Sequence, residues 1–146
     1  SEADTLHFSQ AFADAGCDLI DVSAGQTVPD QDPRYGRMFQ AQFAESIRNV
    51  PKIATMAVGA ITEASQVNTI LHTRRADLVA LGRPHMWNPY FTHQAAAWYG
   101  VRNETDWARQ YISGAQQAAR EQEKTREKLV ELQQRGSPSQ HGKPDA

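Results

Sequence analysis

The sequence has very little cysteine and no long apolar run. Cys17 is the single cysteine among 146 residues, so an internal disulfide cannot form. No stretch approaches the roughly 18 apolar residues of a membrane-spanning helix, and the N-terminus lacks the apolar core of a signal peptide. We therefore expect a cytoplasmic protein in which Cys17 is a small buried hydrophobic residue. The sequence begins with Ser1 and not with an initiator Met, so we also expect that residues preceding it are missing.

The sequence also lacks an excess of either charge. Its 15 Lys and Arg residues and 17 Asp and Glu residues give a formal net charge of −2 with neutral His. Such a chain has no electrostatic reason to bind nucleic acid or an anionic membrane. We expect neither partner.

Large aliphatic residues are scarce in the last third of the chain. From residue 104 onward, the Ile, Leu and Val residues are Ile112, Leu129, Val130 and Leu132. We therefore place the core-forming domain at residues 1–103. We expect a polar helical extension at 104–135 and a disordered tail at 136–146.

Helical and strand patterns alternate through the first two thirds of the chain. Apolar spacings of three and four predict helices at residues 4–15, 39–50 and 62–73, and a fourth begins at Asn88. Short apolar runs predict strands at residues 17–22, 53–58 and 77–81. Asp4, Thr62 and Asn88 are the expected N-caps, and Gly16 is the expected C-terminal glycine. This alternation is typical of an α/β fold, a parallel sheet covered by helices.

Two glycine turns follow predicted strands and precede predicted helices. They are Val58-Gly59-Ala60 and Gly82-Arg83-Pro84. Glycine lets a phosphate approach the backbone, a helix start offers free N–H groups, and Arg83 could add a charge-assisted contact. Either glycine alone could simply turn the chain. Together, on neighbouring strands, they favour phosphate binding like that after the last two strands of many TIM barrels.

The segment Ser23-Ala24-Gly25, after the first predicted strand, could face a substrate or form a simple turn. Asp18 and Asp21 precede it. Residues three apart on a strand lie on opposite faces, so we do not interpret these carboxylates as an acid–base pair. A hydrogen-bonded structural role for Asp21 is the better prediction.

The histidines show no metal-binding spacing, and the sequence has no zinc, nucleophile-elbow or Walker pattern. Only His85 lies near a candidate site, and a surface or loop position is the more probable interpretation for it. The aromatic residues Trp87, Phe91, Trp98 and Tyr99 favour core packing or a subunit contact over stacking on a ligand. We expect no metal site and assign no catalytic residue in this chain.

Three runs resemble the C-terminal part of the old yellow enzyme family, FMN-dependent and NAD(P)H-using reductases on a TIM barrel. The runs are CDLIDVSAGQTVP, PKIATMAVG and ADLVALGRPHMWNPYF. The stretches QTVPDQDPRYGRMFQ, GRPHMWNPYFTHQAA and WARQYISG are most similar to the reductase half of aromatic acyl-CoA monooxygenase/reductase fusions of the salicylyl-CoA 5-hydroxylase type. The resemblance covers about residues 5–114.

The resemblance implies that the three strands are the sixth, seventh and eighth of the barrel. Gly59 and Ala60 would then offer backbone N–H groups to the FMN phosphate, and Gly82 with Arg83 would match the family's Gly-Arg phosphate motif. The family's carbonyl-binding His-His or His-Asn pair, its Tyr proton donor and its flavin-ring contacts lie on the first five strands. This chain has no residues for them, and a full barrel takes roughly 250 residues. The resemblance therefore implies a fragment, inactive alone.

For the parent protein, the resemblance implies an ene-reductase-like oxidoreductase that uses FMN and NADH or NADPH. Its substrate would be a small molecule with an activated C=C bond, with aromatic acyl-CoA among the candidates, and Ser23 and Gly25 would face it. A homo-oligomer is a further expectation. One alternative is a fragment of another phosphate-binding TIM-barrel enzyme, such as an aldolase or synthase. The other is a truncated, non-catalytic interaction module.

Overall fold

The computed structural model describes residues 1–25, 28–32, 34–101 and 107–136. The elements are, in chain order, α1 (Glu2–Asp14), β1 (Leu19–Val22), α2 (Ala41–Asn49), β2 (Ala54–Ala57), α3 (Ala64–His72), β3 (Leu78–Val79), α4 (Arg83–Trp87), α5 (Phe91–Tyr99), a 3₁₀ turn (Arg109–Tyr111) and α6 (Ile112–Gly136). The predicted alternation of helices and strands is confirmed. The short helix α4 is an addition that the sequence did not predict.

The three strands form one parallel sheet in the order β1-β2-β3. Leu19 pairs with Ala54, and Met56 pairs with Leu78. Because parallel neighbours need a crossover, α2 and α3 connect successive strands. This is an α/β architecture compatible with part of a TIM barrel.

The two faces of the sheet differ in burial, as the alternation of side chains along a strand requires. One face packs on the helices and belongs to a core of Val22, Ala41, Ala44, Ile47, Ile53, Ala57, Ile61, Ile70 and Ala76. The other face carries Leu19, Asp21, Ala54, Met56 and Leu78, all half-buried or exposed. Leu78 is 51% exposed. In a closed barrel this second face would fill the interior.

The helix ends differ from the predicted caps in three places. Ser1 caps α1, and Asp4 is the third helical residue of a capping box with it. Glu63, not Thr62, is the N-cap of α3. The Thr62 N–H instead donates a hydrogen bond to the Gln66 side-chain oxygen. Asn88 ends α4 rather than beginning the next helix.

The other end of α1 agrees with the sequence. Gly16 follows the helix with a φ of +91°, the left-handed conformation expected of a C-terminal glycine. Cys17, however, is exposed. It lies in the turn before β1, where its thiol donates to the Leu19 carbonyl at 3.2 Å. The expectation of a buried Cys17 was therefore wrong, because the strand begins two residues later than predicted.

Asp21 also departs from its predicted structural role. It lies on the open face of β1 and is exposed. Its carboxylate accepts no hydrogen bond from the described residues. The prediction failed because Asp21 lies on the face of the strand that does not pack against the helices.

A polar cluster joins three elements at the amino end of the sheet. The Asp77 carboxylate accepts from the Arg48 guanidinium at 3.0 Å and from the Thr55 N–H at 3.0 Å. The hydrogen bond from Arg48 is the main reason that the pKa of Asp77 is lowered from its ordinary value of 3.8. Asp77 thereby links α2, β2 and the start of β3.

We predict that Asp77→Asn lowers the free energy of unfolding at neutral pH by about 1 kcal/mol, because a charged acceptor is lost from a partly exposed pair. The pKa of Asp77 is lower in the folded chain than in the unfolded chain. Its contribution to stability is therefore fully present above the unfolded-state pKa, and it is lost as the pH falls through the folded-state pKa. Urea denaturation at about pH 7 and about pH 2.5 tests this. If wild type and Asp77→Asn differ in unfolding free energy by the same amount at both pH values, the prediction is contradicted.

The chain divides into two compact units, Ser1–Pro89 and Tyr90–Ala146. The first contains the sheet. The second contains α5 and α6, which pack on each other. The expected limits of the domains, at residues 103 and 135, stay predictions, and the tail expected at 136–146 lies outside the described residues except for Gly136.

The second unit is held by aromatic contacts near its N-terminal half. His93 stacks on Trp107 with ring centres 4.0 Å apart, and the Arg126 guanidinium lies 5.7 Å from the Trp98 ring. From residue 123 to residue 135, every side chain of α6 is exposed. The long polar helix is therefore confirmed.

Trp87, for which we expected core packing or a subunit contact, is 92% exposed on the short helix α4 of the first unit.

Over the described ranges, no helix is both long enough and apolar enough to cross a membrane.

Candidate phosphate-binding site

The turn after β2 has an unusual backbone, with two successive residues at positive φ. Gly59 has a φ of +106° and Ala60 a φ of +50°. A Cβ added at Gly59 would overlap the Gln40 side-chain amide and lie 3.1 Å from the Phe39 ring. Only glycine fits here, because both the positive φ and the close contact exclude a side chain.

The two carbonyls that flank this turn are held by the protein. Val58 O accepts from Gln40 Nε2 at 3.0 Å, and Ala60 O accepts from the Met38 N–H at 3.1 Å. Because the Val58 carbonyl and the Gly59 N–H belong to one planar peptide group, the hydrogen bond from Gln40 orients the Gly59 N–H. Among the residues that the structure describes, neither the Gly59 N–H nor the Ala60 N–H has a protein acceptor.

The turn after β3 begins α4. Gly82 is the N-cap of this five-residue helix, and Pro84 occupies its first turn. The Gly82 carbonyl accepts from the His85 and Met86 N–H groups. Within the described ranges, the N–H groups of Gly82 and Arg83 therefore have no protein acceptor, as is usual for the first residues of a helix.

The Arg83 side chain is exposed. Its guanidinium makes no ion pair within the part of the chain that the structure describes. Arg83 is thus a cation beside free backbone N–H groups, which is the combination that binds a phosphate dianion. His85, on the same helix, is half-buried and forms other contacts.

The two turns lie at the same edge of the sheet. Ala57 pairs with Val79, and the Ala80 N–H donates to the Ala57 carbonyl at 2.9 Å. The glycines follow these paired residues by two and three positions, at the carboxyl ends of neighbouring parallel strands. In the described ranges, the N–H groups of Gly59, Ala60, Gly82 and Arg83 donate to no protein group. Unpaired N–H groups at one edge are donors available to an anion.

Gln40 is a residue of this edge that the sequence analysis missed. It precedes α2, is 5% exposed, and accepts a hydrogen bond from the Ala24 N–H through Oε1. Its Nε2 donates to Val58. One signal could have revealed it, since Gln40, Ala44 and Ile47 repeat at helical spacing and are all buried. Val50, the last residue of the predicted helix at 39–50, is instead 62% exposed.

The tentative substrate residues lie after β1. Ser23 and Gly25 are exposed, and Gly25 has a φ of +102°. Ser23 lines a cavity of about 330 Å³ together with residues of α1 and α2. Gly25 is not among the lining residues. A substrate role for either residue stays a prediction.

No cluster of His, Cys, Asp and Glu suited to a metal ion occurs among the described residues. The chemistry that this edge offers is anion binding through backbone N–H groups and one guanidinium.

Comparison with known proteins points in the same direction. A family model described as the NADH:flavin oxidoreductase / NADH oxidase family matches residues 1–99. The NADPH dehydrogenase of Geobacillus thermodenitrificans (strain NG80-2) is 43% identical over 101 residues, 69% of this chain and 29% of that protein. The NADPH dehydrogenase of Geobacillus sp. (strain WCH70) is 43% identical over 98 residues, which are 67% of this chain and 28% of that protein. The chain thus spans less than a third of these relatives.

Proposed function

Because the chain belongs to the NADH:flavin oxidoreductase / NADH oxidase family, we propose that it supplies the FMN phosphate-binding strand ends of an FMN-dependent NAD(P)H oxidoreductase. FMN and NADH or NADPH are the cofactors that this family implies. The observation that carries the proposal is the set of four unpaired N–H groups on two neighbouring strand ends, at Gly59, Ala60, Gly82 and Arg83.

The residues of this edge fit a phosphate group. The Gln40 amide and the Phe39 ring fill the space on the Cβ side of Gly59, so they support the turn from the protein side. The N–H groups would donate to phosphate oxygens, and the Arg83 guanidinium would neutralise part of the phosphate charge. When bound, FMN supplies hydride-transfer chemistry between NAD(P)H and an activated C=C bond.

The role of this chain is binding and orientation rather than proton transfer. The site contains one guanidinium and backbone N–H donors, none of which changes its protonation state near neutral pH. The groups that would handle the substrate carbonyl and its proton are implied on strands outside this chain. We therefore expect that the chain alone does not oxidise NAD(P)H.

The family assignment favours a flavin enzyme over another phosphate-binding barrel, such as an aldolase or synthase. Free N–H groups at two strand ends would serve all of these enzymes equally. The match over residues 1–99 separates them. A non-catalytic interaction module is less well supported, because the unpaired donors occur where a cofactor phosphate would bind.

Finer features of the parent protein remain our proposals. A substrate with an activated C=C bond, with aromatic acyl-CoA among the candidates, is supported by the stretches QTVPDQDPRYGRMFQ and GRPHMWNPYFTHQAA. The same stretches support a relation to the reductase half of aromatic acyl-CoA monooxygenase/reductase fusions. A homo-oligomeric state and a cytoplasmic location stay predictions from the sequence.

Titration of the chain with FMN and with riboflavin tests the proposed function. Riboflavin carries the same ring and ribityl chain without the phosphate. We predict that FMN binds at least about 100-fold more tightly, because the charge-assisted contact of Arg83 adds to those of the backbone N–H donors. FMN should also raise the melting temperature more than riboflavin at equal concentration. Equal affinities for the two flavins would contradict a phosphate site.

A further inference from the structure

Gln40 joins the ends of two neighbouring strands through a single side chain. Its Oε1 accepts from the Ala24 N–H after β1, and its Nε2 donates to the Val58 carbonyl after β2 at 3.0 Å. With 5% exposure, the amide is almost completely removed from water. Both polar ends of this buried group are therefore satisfied by backbone on different strands.

These contacts bear directly on the phosphate-binding turn. The Val58 carbonyl and the Gly59 N–H belong to the same peptide group, whose plane is fixed once its oxygen is held. The Gln40 amide also occupies the space where a Cβ at Gly59 would lie. Gln40 thus determines both the direction of the Gly59 N–H and the need for glycine at this position.

The geometry points to Gln40 as a positioning residue for the cofactor phosphate. Its side chain holds the Val58–Gly59 peptide so that the Gly59 N–H faces the phosphate, and it couples that turn to the Ser23–Gly25 segment after β1. This inference rests on the proposed function. Beyond that function, we infer that phosphate binding also restricts the motion of the Ala24 backbone, because the buried Gln40 amide connects the two.

A variant of Gln40 tests the first part of this role. Gln40→Met keeps a long unbranched side chain but removes both hydrogen bonds. We expect it to weaken FMN binding about five- to tenfold, the effect of one hydrogen bond, and to leave riboflavin binding unchanged. Asp77→Asn is the matched control, because it removes a cross-element polar contact at the opposite end of the sheet. It should lower stability and preserve the preference for FMN.

Hydrogen exchange in the wild-type chain tests the second part and needs no variant that could fail to fold. The Ala24 amide proton reports on Gln40, since Gln40 Oε1 is its acceptor. We expect saturating FMN to slow exchange at Ala24 by about tenfold through reduced local opening. Riboflavin at the same occupancy should leave this rate unchanged.

The outcomes separate this inference from the proposed function. Suppose that the wild type prefers FMN. If Gln40→Met then shows the same preference as the wild type, or if FMN leaves Ala24 exchange unchanged, the positioning role is overturned and the phosphate site stands. If the wild type binds riboflavin as well as FMN, both are overturned. A preference for FMN that falls about five- to tenfold in Gln40→Met, with slowed Ala24 exchange in the wild type, supports both.

Discussion

Gly59→Ala should reduce both the stability of the chain and its affinity for FMN. The new Cβ would overlap the Gln40 amide and lie 3.1 Å from the Phe39 ring, and alanine is strained at a φ of +106°. We predict a loss of about 2–4 kcal/mol in the free energy of unfolding, from backbone strain and overpacking together. FMN affinity should fall more than about tenfold, because the turn must move to relieve the contact.

Gly16→Ala provides the matched control for this prediction. Gly16 has a φ of +91° and nothing within 4 Å of an added Cβ. It should therefore show the strain alone, about 1 kcal/mol, with FMN affinity unchanged. Chemical denaturation and FMN titration of both variants separate the two effects. If the two variants lose equal stability and both retain FMN affinity, the contact between Gly59 and Gln40 has no role.

Arg83→Ala should weaken FMN binding by about 1.5–3 kcal/mol, the scale of a hydrogen bond to a charged group. Arg83→Lys keeps the charge but loses the planar fork, so we expect an intermediate loss. Neither substitution should change stability by more than about 0.5 kcal/mol, because the side chain is exposed.

Arg74→Ala is the control for charge alone. Arg74 is an exposed arginine in the turn between α3 and β3, at the opposite end of the sheet. Its removal changes the net charge as Arg83→Ala does, and it should leave FMN affinity unchanged. Riboflavin binding should be unaffected in all three variants. An Arg83→Ala chain that binds FMN as the wild type does would remove Arg83 from the site.

Much of the architecture could be predicted because it depends on local patterns. Apolar runs of strand length alternate with helical spacing, and this alone indicates a parallel sheet covered by helices. The left-handed Gly16 follows from the same local chemistry. The two glycine turns could be placed at one edge because parallel strands share their carboxyl ends.

The main errors in the prediction have a different cause. Asp21 points away from the helices, which depends on how the sheet packs against them. The error at Thr62 is of a more local kind, because Gln66, four residues later, accepts the Thr62 N–H and Glu63 becomes the N-cap. Gln40 was overlooked because a glutamine beside a helix start resembles a surface residue. Its burial depends on Ala24 and Val58, which are 16 and 18 residues away. Local propensity carries no information about such contacts.

The most direct test of the account is a backbone amide spectrum of the ¹⁵N-labelled chain during titration with FMN and with riboflavin. The account predicts that FMN shifts the amide resonances of Gly59, Ala60, Gly82 and Arg83 most strongly, because their free N–H groups would donate to the phosphate. Riboflavin should leave these four resonances in place. FMN shifts confined to other residues, or identical shifts with both flavins, would contradict the assignment of this edge as the phosphate site.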